Sequence, residues 1–183
     1  MNKTALITGA SQGIGASIAR KLAADGFSVA INCRTQESGA QVKAECETFG
    51  VEAECFVADV SDFSACESMV KAIKERFGRI DVLVNNAGIT KDGLIARMTE
   101  EQFDIVTNVN YKSVFNMIRH VSPIMMKQRS GRIINIAWPA IDDTLAACMW
   151  GKANFGVGKC RQDEIVHFPG SGAEAGYIVH SLG

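Results

Sequence analysis

Residues 8–15 read TGASQGIG and continue directly from the short apolar run KTALIT at 3–8. An amphipathic helical pattern starts inside this stretch, so three glycines stand between a buried strand and the first turn of a helix. Glycine lets a ligand approach the backbone closely, and the N–H groups of a helix N-terminus attract anions. The stretch therefore predicts a loop that holds the diphosphate of a dinucleotide. We expect that loop to comprise Gly9, Ser11, Gln12, Gly13, Ile14 and Gly15.

Further apolar runs follow along the first three quarters of the chain. We predict strands over 27–33, 53–58, 80–84 and 132–137. Helical patterns separate these runs, and the helix before the fourth strand is predicted to begin with Ser61 as N-cap and to end at Gly78. Thr99 and Gln102 have the spacing of a capping box, which predicts the start of a long helix.

Strands that are apolar throughout and joined by helices are typical of a parallel sheet covered on both faces. The predicted fold class is therefore α/β, a doubly wound, Rossmann-like parallel sheet in a single cofactor-binding domain over residues 1–183. After Ala137 the alternation weakens, and Pro139, two aspartates and scattered glycines replace it. We expect residues 138–183 to be a divergent or truncated C-terminal segment of that domain.

Composition argues against several classes of protein. The 183 residues are 47% hydrophobic, and their net charge of −1 gives no reason to expect nucleic acid or an anionic membrane as a partner. No apolar run reaches the roughly 18 residues of a membrane span, and the first residues lack a signal-peptide pattern, so we expect a cytoplasmic protein. Six cysteines and three histidines show no metal-ligand spacing. They predict buried structural thiols and no metal site.

The end of the second predicted strand distinguishes the two nicotinamide dinucleotides. An acidic residue there accepts hydrogen bonds from the ribose 2′-hydroxyl of NAD, whereas a basic residue pairs with the 2′-phosphate of NADP. This strand ends in Asn32-Cys33-Arg34-Thr35, without an acid. Because the guanidinium of Arg34 can donate two hydrogen bonds to phosphate oxygens, we predict NADP(H) as the cofactor. The alternative is that Arg34 is a solvated surface residue.

A second motif makes a comparison with a known family specific. NNAG at 85–88 follows the fourth predicted strand, and the glycines of TGASQGIG are spaced GxxxGxG. In these two motifs the chain resembles the short-chain dehydrogenases/reductases, and the resemblance extends over residues 3–137. It implies that Asp59 and Val60 flank the adenine and that Asn86, Ala87 and Gly88 line the ribose and nicotinamide side. Asp59 has a plainer alternative role, which is to cap the turn after the third strand.

The residues after this motif narrow the expected substrate. GITKDGLIARM at 88–98 is similar to a pattern in the 3-oxoacyl-[acyl-carrier-protein] reductases of fatty acid biosynthesis, with the acetoacetyl-CoA reductases as a near alternative. Both kinds of enzyme reduce a 3-oxoacyl thioester to a 3-hydroxyacyl thioester. Four basic residues are expected either to meet an acidic carrier protein or a CoA phosphate, or to be solvated: Lys91, Arg97, Lys127 and Arg129. The resemblance also implies a homo-oligomer, which is a tetramer in much of the family.

The catalytic set of that family is asparagine, serine, tyrosine and lysine, and this chain matches it in part. Asn110 stands at the asparagine position, where it positions a water of the proton relay, kinks the helix by bonding the backbone, or does both. GKANFGVGK at 151–159 is similar to the tyrosine–lysine stretch of the family. Lys159 takes the lysine position, which also holds the nicotinamide ribose, and Phe155 takes the tyrosine position. Trp138 stands where the family has its serine.

Phenylalanine has no proton to donate to a carbonyl oxygen, so we expect thioester reduction by this chain to be impaired. A cofactor-binding pseudoenzyme and a damaged product are the alternatives. The segment between Phe155 and Pro169 is too short for the whole helix and strand that the family has there. A deletion, an out-of-frame segment or an incomplete sequence would each give this pattern.

Overall fold

The computed structural model describes residues 2–91 and 97–136, together with the backbone of 177–181. Within these residues the strands are β1 Thr4–Ile7, β2 Ser28–Cys33, β3 Ala53–Val57, β4 Val82–Asn85, β5 Arg132–Ile136 and β6 Tyr177–Ser181. The helices are α1 Gly13–Ala24, α2 Gln36–Glu47, α3 Phe63–Phe77, α4 Glu100–Thr107 and α5 Ser113–Gln128. A π-helical turn, Asn108–Lys112, joins α4 to α5.

The strands form one sheet in the order β3-β2-β1-β4-β5-β6. Each neighbouring pair among β1–β5 is parallel, which confirms the predicted doubly wound parallel sheet. β6 pairs antiparallel with β5, with Tyr177 opposite Ile136 and Ser181 opposite Arg132. The outer edge of β5 carries unpaired N–H and C=O groups that a strand of either direction can satisfy, so an antiparallel partner is compatible with the parallel sheet.

The core lies on both faces of this sheet because successive side chains of a strand point to opposite sides. In β1, Ala5 and Ile7 pack against α1 and α2. Leu6, between them, packs on the other face against α3 and α5. Helices therefore cover both faces of the sheet, and the connecting loops lie at the two ends of the parallel strands.

Three predicted helix ends can be compared with the structure. The capping box of Thr99 and Gln102 is present, and Gly78 ends α3 in the left-handed conformation, at φ 77°. The prediction of Ser61 as the N-cap of α3 is wrong, since Asp62 caps this helix by accepting from the N–H of Ala65 at 2.8 Å. Ser61 is already engaged, as its N–H and hydroxyl donate to Asp59 Oδ1 at 2.8 and 2.7 Å.

The long helix predicted from Thr99 onward is present but is interrupted by the π-helical turn at Asn108–Lys112. A π turn inserts one extra residue into a helix and is often found at functional sites. Asn110 lies in the middle of it. No helix in the described part of the chain is long and apolar enough to cross a membrane.

Candidate functional site

The glycine loop lies at the carboxyl end of β1 and opens α1. Gly9 and Gly13 have φ values of 61° and 57°, a backbone conformation that other residues rarely adopt. Gln12 is the N-cap of α1, yet its side chain makes no capping hydrogen bond, and the first turn holds no acidic residue. The first N–H groups of α1 are therefore not covered by a cap, which leaves them to bind an anion.

Two glycines of the loop are also required by close packing. A Cβ on Gly9 would lie 2.9 Å from the Cα of Ala87. A Cβ on Gly15 would lie 2.4 Å from Asn86 Nδ2 and 2.7 Å from the carbonyl oxygen of Gly9. The two sequence motifs, TGASQGIG and NNAG, are therefore in direct contact at the carboxyl edge of the sheet.

Hydrogen bonds fix that contact. The hydroxyl oxygen of Thr8 accepts from the backbone N–H groups of Asn86 and Ala87, at 2.9 and 3.0 Å. Asn86 Nδ2 donates in return to the carbonyl oxygens of Thr8 and Gly9, at 2.9 and 3.1 Å. Ala87 and Gly88 are only partly buried and so remain accessible to a ligand. The structure thus brings the predicted diphosphate loop and the predicted nicotinamide-side residues together.

Asn32 supports the loop from below and was not singled out from the sequence as a site residue. Its Oδ1 accepts from the N–H of Gly9 at 3.2 Å. Its Nδ2 donates to the carbonyl oxygens of Phe56 and Ala58, at 3.3 and 3.0 Å. One buried amide therefore joins the ends of β1, β2 and β3. The available signal was a polar residue inside an otherwise apolar strand, which requires a buried hydrogen-bond partner.

Arg34 follows β2 at the same edge of the sheet and is exposed. It forms no hydrogen bond or ion pair with another described residue. Its neighbour Thr35 is the N-cap of α2, and the Thr35 side chain accepts from the N–H of Ser38. The guanidinium is thus free to donate to a ligand bound at the carboxyl ends of β1 and β2.

The turn after β3 holds Asp59 and Val60. Asp59 performs the capping role that the sequence left open, because both of its side-chain hydrogen bonds, at 2.7 and 2.8 Å, join Oδ1 to Ser61. Oδ2 has no such bond among the described residues, and Asp59 is exposed, so this oxygen can still accept from a ligand. Val60 is buried. Its carbonyl oxygen accepts from Nδ2 of Asn116 in α5 at 3.0 Å, a residue that the sequence analysis did not identify.

Asn110 reaches the segment just after the NNAG motif. Its Oδ1 accepts from the N–H of Ile89 at 2.8 Å, and its Nδ2 donates to the carbonyl oxygen of Ile89 at 2.9 Å. The amide side chain therefore pairs with both backbone groups of one residue. Both ends of the Asn110 amide thus have a protein hydrogen-bond partner. The predicted part of Asn110 in a proton relay stays a prediction.

The cysteines of the described residues are structural. Cys33, Cys46, Cys55 and Cys66 are buried and free. Burial raises the pKa of the Cys55 thiol to about 11, and burial likewise raises that of Cys66 to about 11. Thiols with raised pKa values carry little thiolate, so they pack as small apolar groups. Among the described residues no three acidic, cysteine or histidine side chains are grouped as metal ligands.

Several predicted site residues lie outside the described residues. They are Phe155 and Lys159 of the tyrosine–lysine stretch, and Trp138 at the serine position. Part of GITKDGLIARM, at 92–96, lies outside as well.

A comparison with models of protein families identifies the family to which the glycine loop and the NNAG motif belong. A family described as short chain dehydrogenase matches residues 3–146, which include the whole glycine loop and the NNAG motif. The chain belongs to the short-chain dehydrogenase family. The resemblance identified in the sequence is thereby confirmed.

Two related proteins illustrate the extent of the match. The 3-oxoacyl-[acyl-carrier-protein] reductase FabG of Staphylococcus epidermidis is 49% identical over 137 residues, which are 74% of this chain and 56% of that protein. FabG of Escherichia coli K12 is 41% identical over 157 residues, or 86% of this chain and 62% of that protein. The chain thus spans little more than half the length of these short-chain dehydrogenases.

Solved structures of the family agree with the fold. A metagenomic short-chain oxidoreductase in complex with NADP matches with a TM-score of 0.70 and 37% identity, over 73% of this chain and 61% of that one. An NAD+-bound xylitol dehydrogenase matches with a TM-score of 0.70 and 33% identity, over 73% of this chain and 52% of that one. The matched proteins include structures with either nicotinamide dinucleotide, so the choice of cofactor depends on individual residues.

Proposed function

We propose that this short-chain dehydrogenase binds NADP(H) at the carboxyl edge of its sheet. The observation that carries the proposal is Arg34, an exposed cation at the end of β2 with no partner among the described residues. It stands beside a glycine loop whose helix N-terminus has no side-chain cap. The diphosphate would lie on Gly9, Gly13 and Gly15, and the 2′-phosphate on Arg34. Because matched structures hold either NADP or NAD+, the choice of NADP(H) rests on Arg34.

The remaining predicted residues would contact the rest of the cofactor. Asp59 Oδ2 would accept from the adenine amine, and Val60, whose side chain is buried in the core, would flank the ring with its backbone. Asn86, Ala87 and Gly88 would line the ribose and nicotinamide side, with Lys159 on the nicotinamide ribose. Bound NADPH would supply a hydride to a carbonyl carbon. We propose that residues 1–183 act as one cofactor-binding domain, of which 138–183 is the divergent part.

Replacing Arg34 with aspartate tests the cofactor. Arg34→Asp removes the cation and adds an acid that suits a 2′-hydroxyl, so we expect NADPH affinity to fall about 10–100-fold and NADH affinity to stay within about threefold. Fluorescence titration with each dinucleotide measures both. Arg129→Asp makes the same charge change at the C-cap of α5, beyond the amino edge of the sheet, and should leave both affinities unchanged. Equal losses for NADPH and NADH in Arg34→Asp would contradict the proposal.

We further propose that the ancestral reaction is reduction of 3-oxoacyl thioesters in fatty acid biosynthesis. The support is the similarity to the FabG reductases, whose name specifies an acyl-carrier-protein substrate. Exposed Lys127 and Arg129 offer positive charge to an acidic carrier protein. An acetoacetyl-CoA substrate is the alternative. If the substrate is a CoA thioester, Arg129→Asp should not change the KM for a carrier-bound thioester more than the KM for the CoA thioester. If the substrate is carrier-bound, Arg129→Asp should selectively raise the KM for the carrier-bound thioester.

Catalysis by this chain is proposed to be weak. Phe155 at the tyrosine position has no O–H, and Trp138 at the serine position has no hydroxyl to orient the carbonyl. Loss of a positioned acid commonly lowers the rate about 10²–10⁴-fold, so we expect acetoacetyl thioester turnover well below the ~1–10³ s⁻¹ of typical enzymes. Turnover within that range, measured by NADPH oxidation, would refute the impairment. A cofactor-binding pseudoenzyme is the limiting case.

Restoring the acid sharpens that test. Phe155→Tyr should raise turnover about tenfold or more, because it returns a proton donor four residues before Lys159. Phe168→Tyr, the same change elsewhere in the C-terminal segment, is the matched control and should have no effect.

We also propose a homo-oligomer in the cytoplasm. The support for an oligomer is that large apolar side chains are exposed along α4, the π-helical turn and α5, where Ile105, Tyr111 and Phe115 are 47%, 63% and 58% exposed. A monomer at micromolar concentration in sedimentation velocity, or recovery of the protein with membranes, would contradict these two proposals.

A further inference from the structure

Asn116 is a polar residue in the middle of the buried face of α5. It is fully buried, on a helix whose neighbouring core residues are Met117 and Val121. Its Nδ2 donates to two consecutive carbonyl oxygens, of Val60 at 3.0 Å and of Ser61 at 3.2 Å. Its Oδ1 has no hydrogen-bond partner among the described residues. A buried acceptor without a partner is unfavourable, so the bonds made by Nδ2 must account for an amide at this position.

Those two carbonyls belong to the turn that carries Asp59. On the front of this turn Asp59 is exposed, and its Oδ1 holds Ser61. On the back, the carbonyls of Val60 and Ser61 point into the protein and end on Asn116. A backbone segment held from both sides has little freedom, so the position of the Asp59 carboxylate depends on the buried amide of Asn116.

The same helical run holds the other cofactor segment. Asn110, in the π-helical turn, pairs with the N–H and C=O of Ile89, just beyond the NNAG motif. Asn116 holds Val60 and Ser61, which follow β3, and β2 and β1 lie between β3 and β4 in the sheet. One continuous length of helix thereby sets the distance between the two segments proposed to hold the adenosine and nicotinamide halves of the cofactor.

We infer that Asn116 is a positioning residue that sets the affinity for the adenosine half of the dinucleotide. It acts through the backbone of Val60 and Ser61, which fixes the carboxylate of Asp59, and it does not touch the ligand. This inference rests on the proposed NADP(H) function and extends it to a residue in the core.

The chain contains a matched control. Gln128, at the other end of α5, likewise bonds the backbone through its side-chain amide. Its Oε1 accepts from the N–H of Ile80 at 3.1 Å, and its Nε2 donates to the carbonyl oxygens of Ile80 and Ser130 at 2.8 and 3.4 Å. Ile80 lies before β4, at the amino edge of the sheet, away from the glycine loop. Gln128→Leu therefore removes the same kind of interaction from the same helix without touching the Asp59 turn.

The test measures binding of NADPH and of adenosine 2′,5′-bisphosphate, which lacks the nicotinamide, to the whole chain. Asn116→Leu should weaken both by about tenfold, whereas Gln128→Leu should leave both within about twofold. In an Asp59→Asn background, Asn116→Leu should cost much less, because the group it positions has been altered. Wild-type protein that binds neither ligand would refute the proposed function and this inference together. Wild-type binding with an unchanged Asn116→Leu affinity, or independent effects of Asn116 and Asp59, would refute the inference alone.

Hydrogen exchange keeps the test decisive if Asn116→Leu does not fold. Asn116→Ser retains a smaller donor, and in this variant the amides of Ser61 and Asp62 should exchange about tenfold faster, with smaller changes at Ile80. The adenosine 2′,5′-bisphosphate affinity should fall in the same variant. A purely structural role predicts lower thermal stability with both of these readouts unchanged.

Discussion

The two edges of the sheet are built from different kinds of polar group. At the amino edge, Asp81 accepts from the Arg79 guanidinium at 2.5 and 2.7 Å and from the N–H of Thr4 at 2.9 Å. At the carboxyl edge, the glycine loop is held by the neutral side chains of Thr8, Asn32 and Asn86. The amino edge therefore contains a buried carboxylate paired with an arginine, whereas the side chains that support the loop carry no charge.

This difference has a direct electrostatic meaning. A carboxylate beneath the glycine loop would repel a diphosphate, and in a partly buried site that repulsion is weakly screened. An amide can accept from Gly9 and donate to neighbouring carbonyls without carrying charge. The loop is thus fixed while the positive potential of the α1 N-terminus stays available for an anion. The amino edge has no such constraint, and its buried carboxylate is neutralised by arginine.

Among substitutions that test this difference between the two edges, Gly15→Ala is expected to have the largest effect. In Gly15→Ala the new Cβ would lie 2.7 Å from the carbonyl oxygen of Gly9, which cannot swing away as a side chain can. We expect a loss of about 2–3 kcal/mol in the free energy of unfolding, together with a fall of more than tenfold in NADPH affinity. Urea denaturation and fluorescence titration measure the two effects.

Gly26 provides the control at the amino edge. Its φ is 86°, but a Cβ there would meet nothing within 4 Å, so Gly26→Ala carries only the conformational cost of about 1 kcal/mol. NADPH affinity should not change in this variant. If Gly26→Ala proved as damaging as Gly15→Ala, contact with the NNAG motif would not be the reason for glycine at position 15.

The next largest effect is expected from placing charge under the loop. Asn32→Asp replaces the amide that donates to the carbonyls of Phe56 and Ala58 with a group that repels them. We expect a loss of about 2 kcal/mol in stability and a fall of about tenfold or more in NADPH affinity, since the new carboxylate also faces the diphosphate site. Gln128→Glu is the matched control, because it also replaces a side-chain amide with a carboxylate, in this case beside the backbone of Ile80. It should cost stability but leave NADPH affinity within about twofold; equal affinity losses would contradict the electrostatic argument.

Local patterns were sufficient to predict most of the fold. Five strands are apolar runs bounded by glycine or polar residues, and the capping box at Thr99 and Gln102 lies within four residues of sequence. The position of the glycine loop between β1 and α1 could be predicted for the same reason, because its three glycines lie within seven residues of sequence. Arg34 was predicted because it follows a strand directly.

The supporting residues could not be predicted in the same way. Asn32 bonds Ala58 across 26 positions, and Asn116 bonds Val60 across 56. No periodicity within a helix or strand indicates which carbonyl a distant amide will reach. The helix start at Asp62 and not at Ser61 has a similar cause, since two adjacent side chains can each cap a helix and Asp59 decides between them. The π-helical turn contains neither proline nor glycine, so nothing local marked it.

Asp81→Asn tests the charge pairing of the amino edge, and its effect is expected to be smaller than those of Gly15→Ala and Asn32→Asp. Burial works to raise the pKa of Asp81, but hydrogen bonds from Arg79 and from the N–H of Thr4 outweigh it, and the net pKa is lowered. A carboxyl group with a lowered pKa in the folded state stabilises the protein above its unfolded pKa, which is about 3.9. We therefore expect Asp81→Asn to cost about 1–2 kcal/mol at pH 7, with NADPH affinity unchanged.

The pH dependence tests the cause of that loss. The difference in stability between wild type and Asp81→Asn should be constant from about pH 7 to 5 and should shrink below about pH 4, as the wild-type carboxyl takes up a proton. Asp25→Asn, which removes an exposed pairing with Lys21 one helical turn away, should cost less than about 0.5 kcal/mol. A difference for Asp81 that persisted unchanged to pH 3 would mean that packing, and not the charge on Asp81, stabilises the amino edge. The contrast with the uncharged side chains that support the glycine loop would then lose its physical basis.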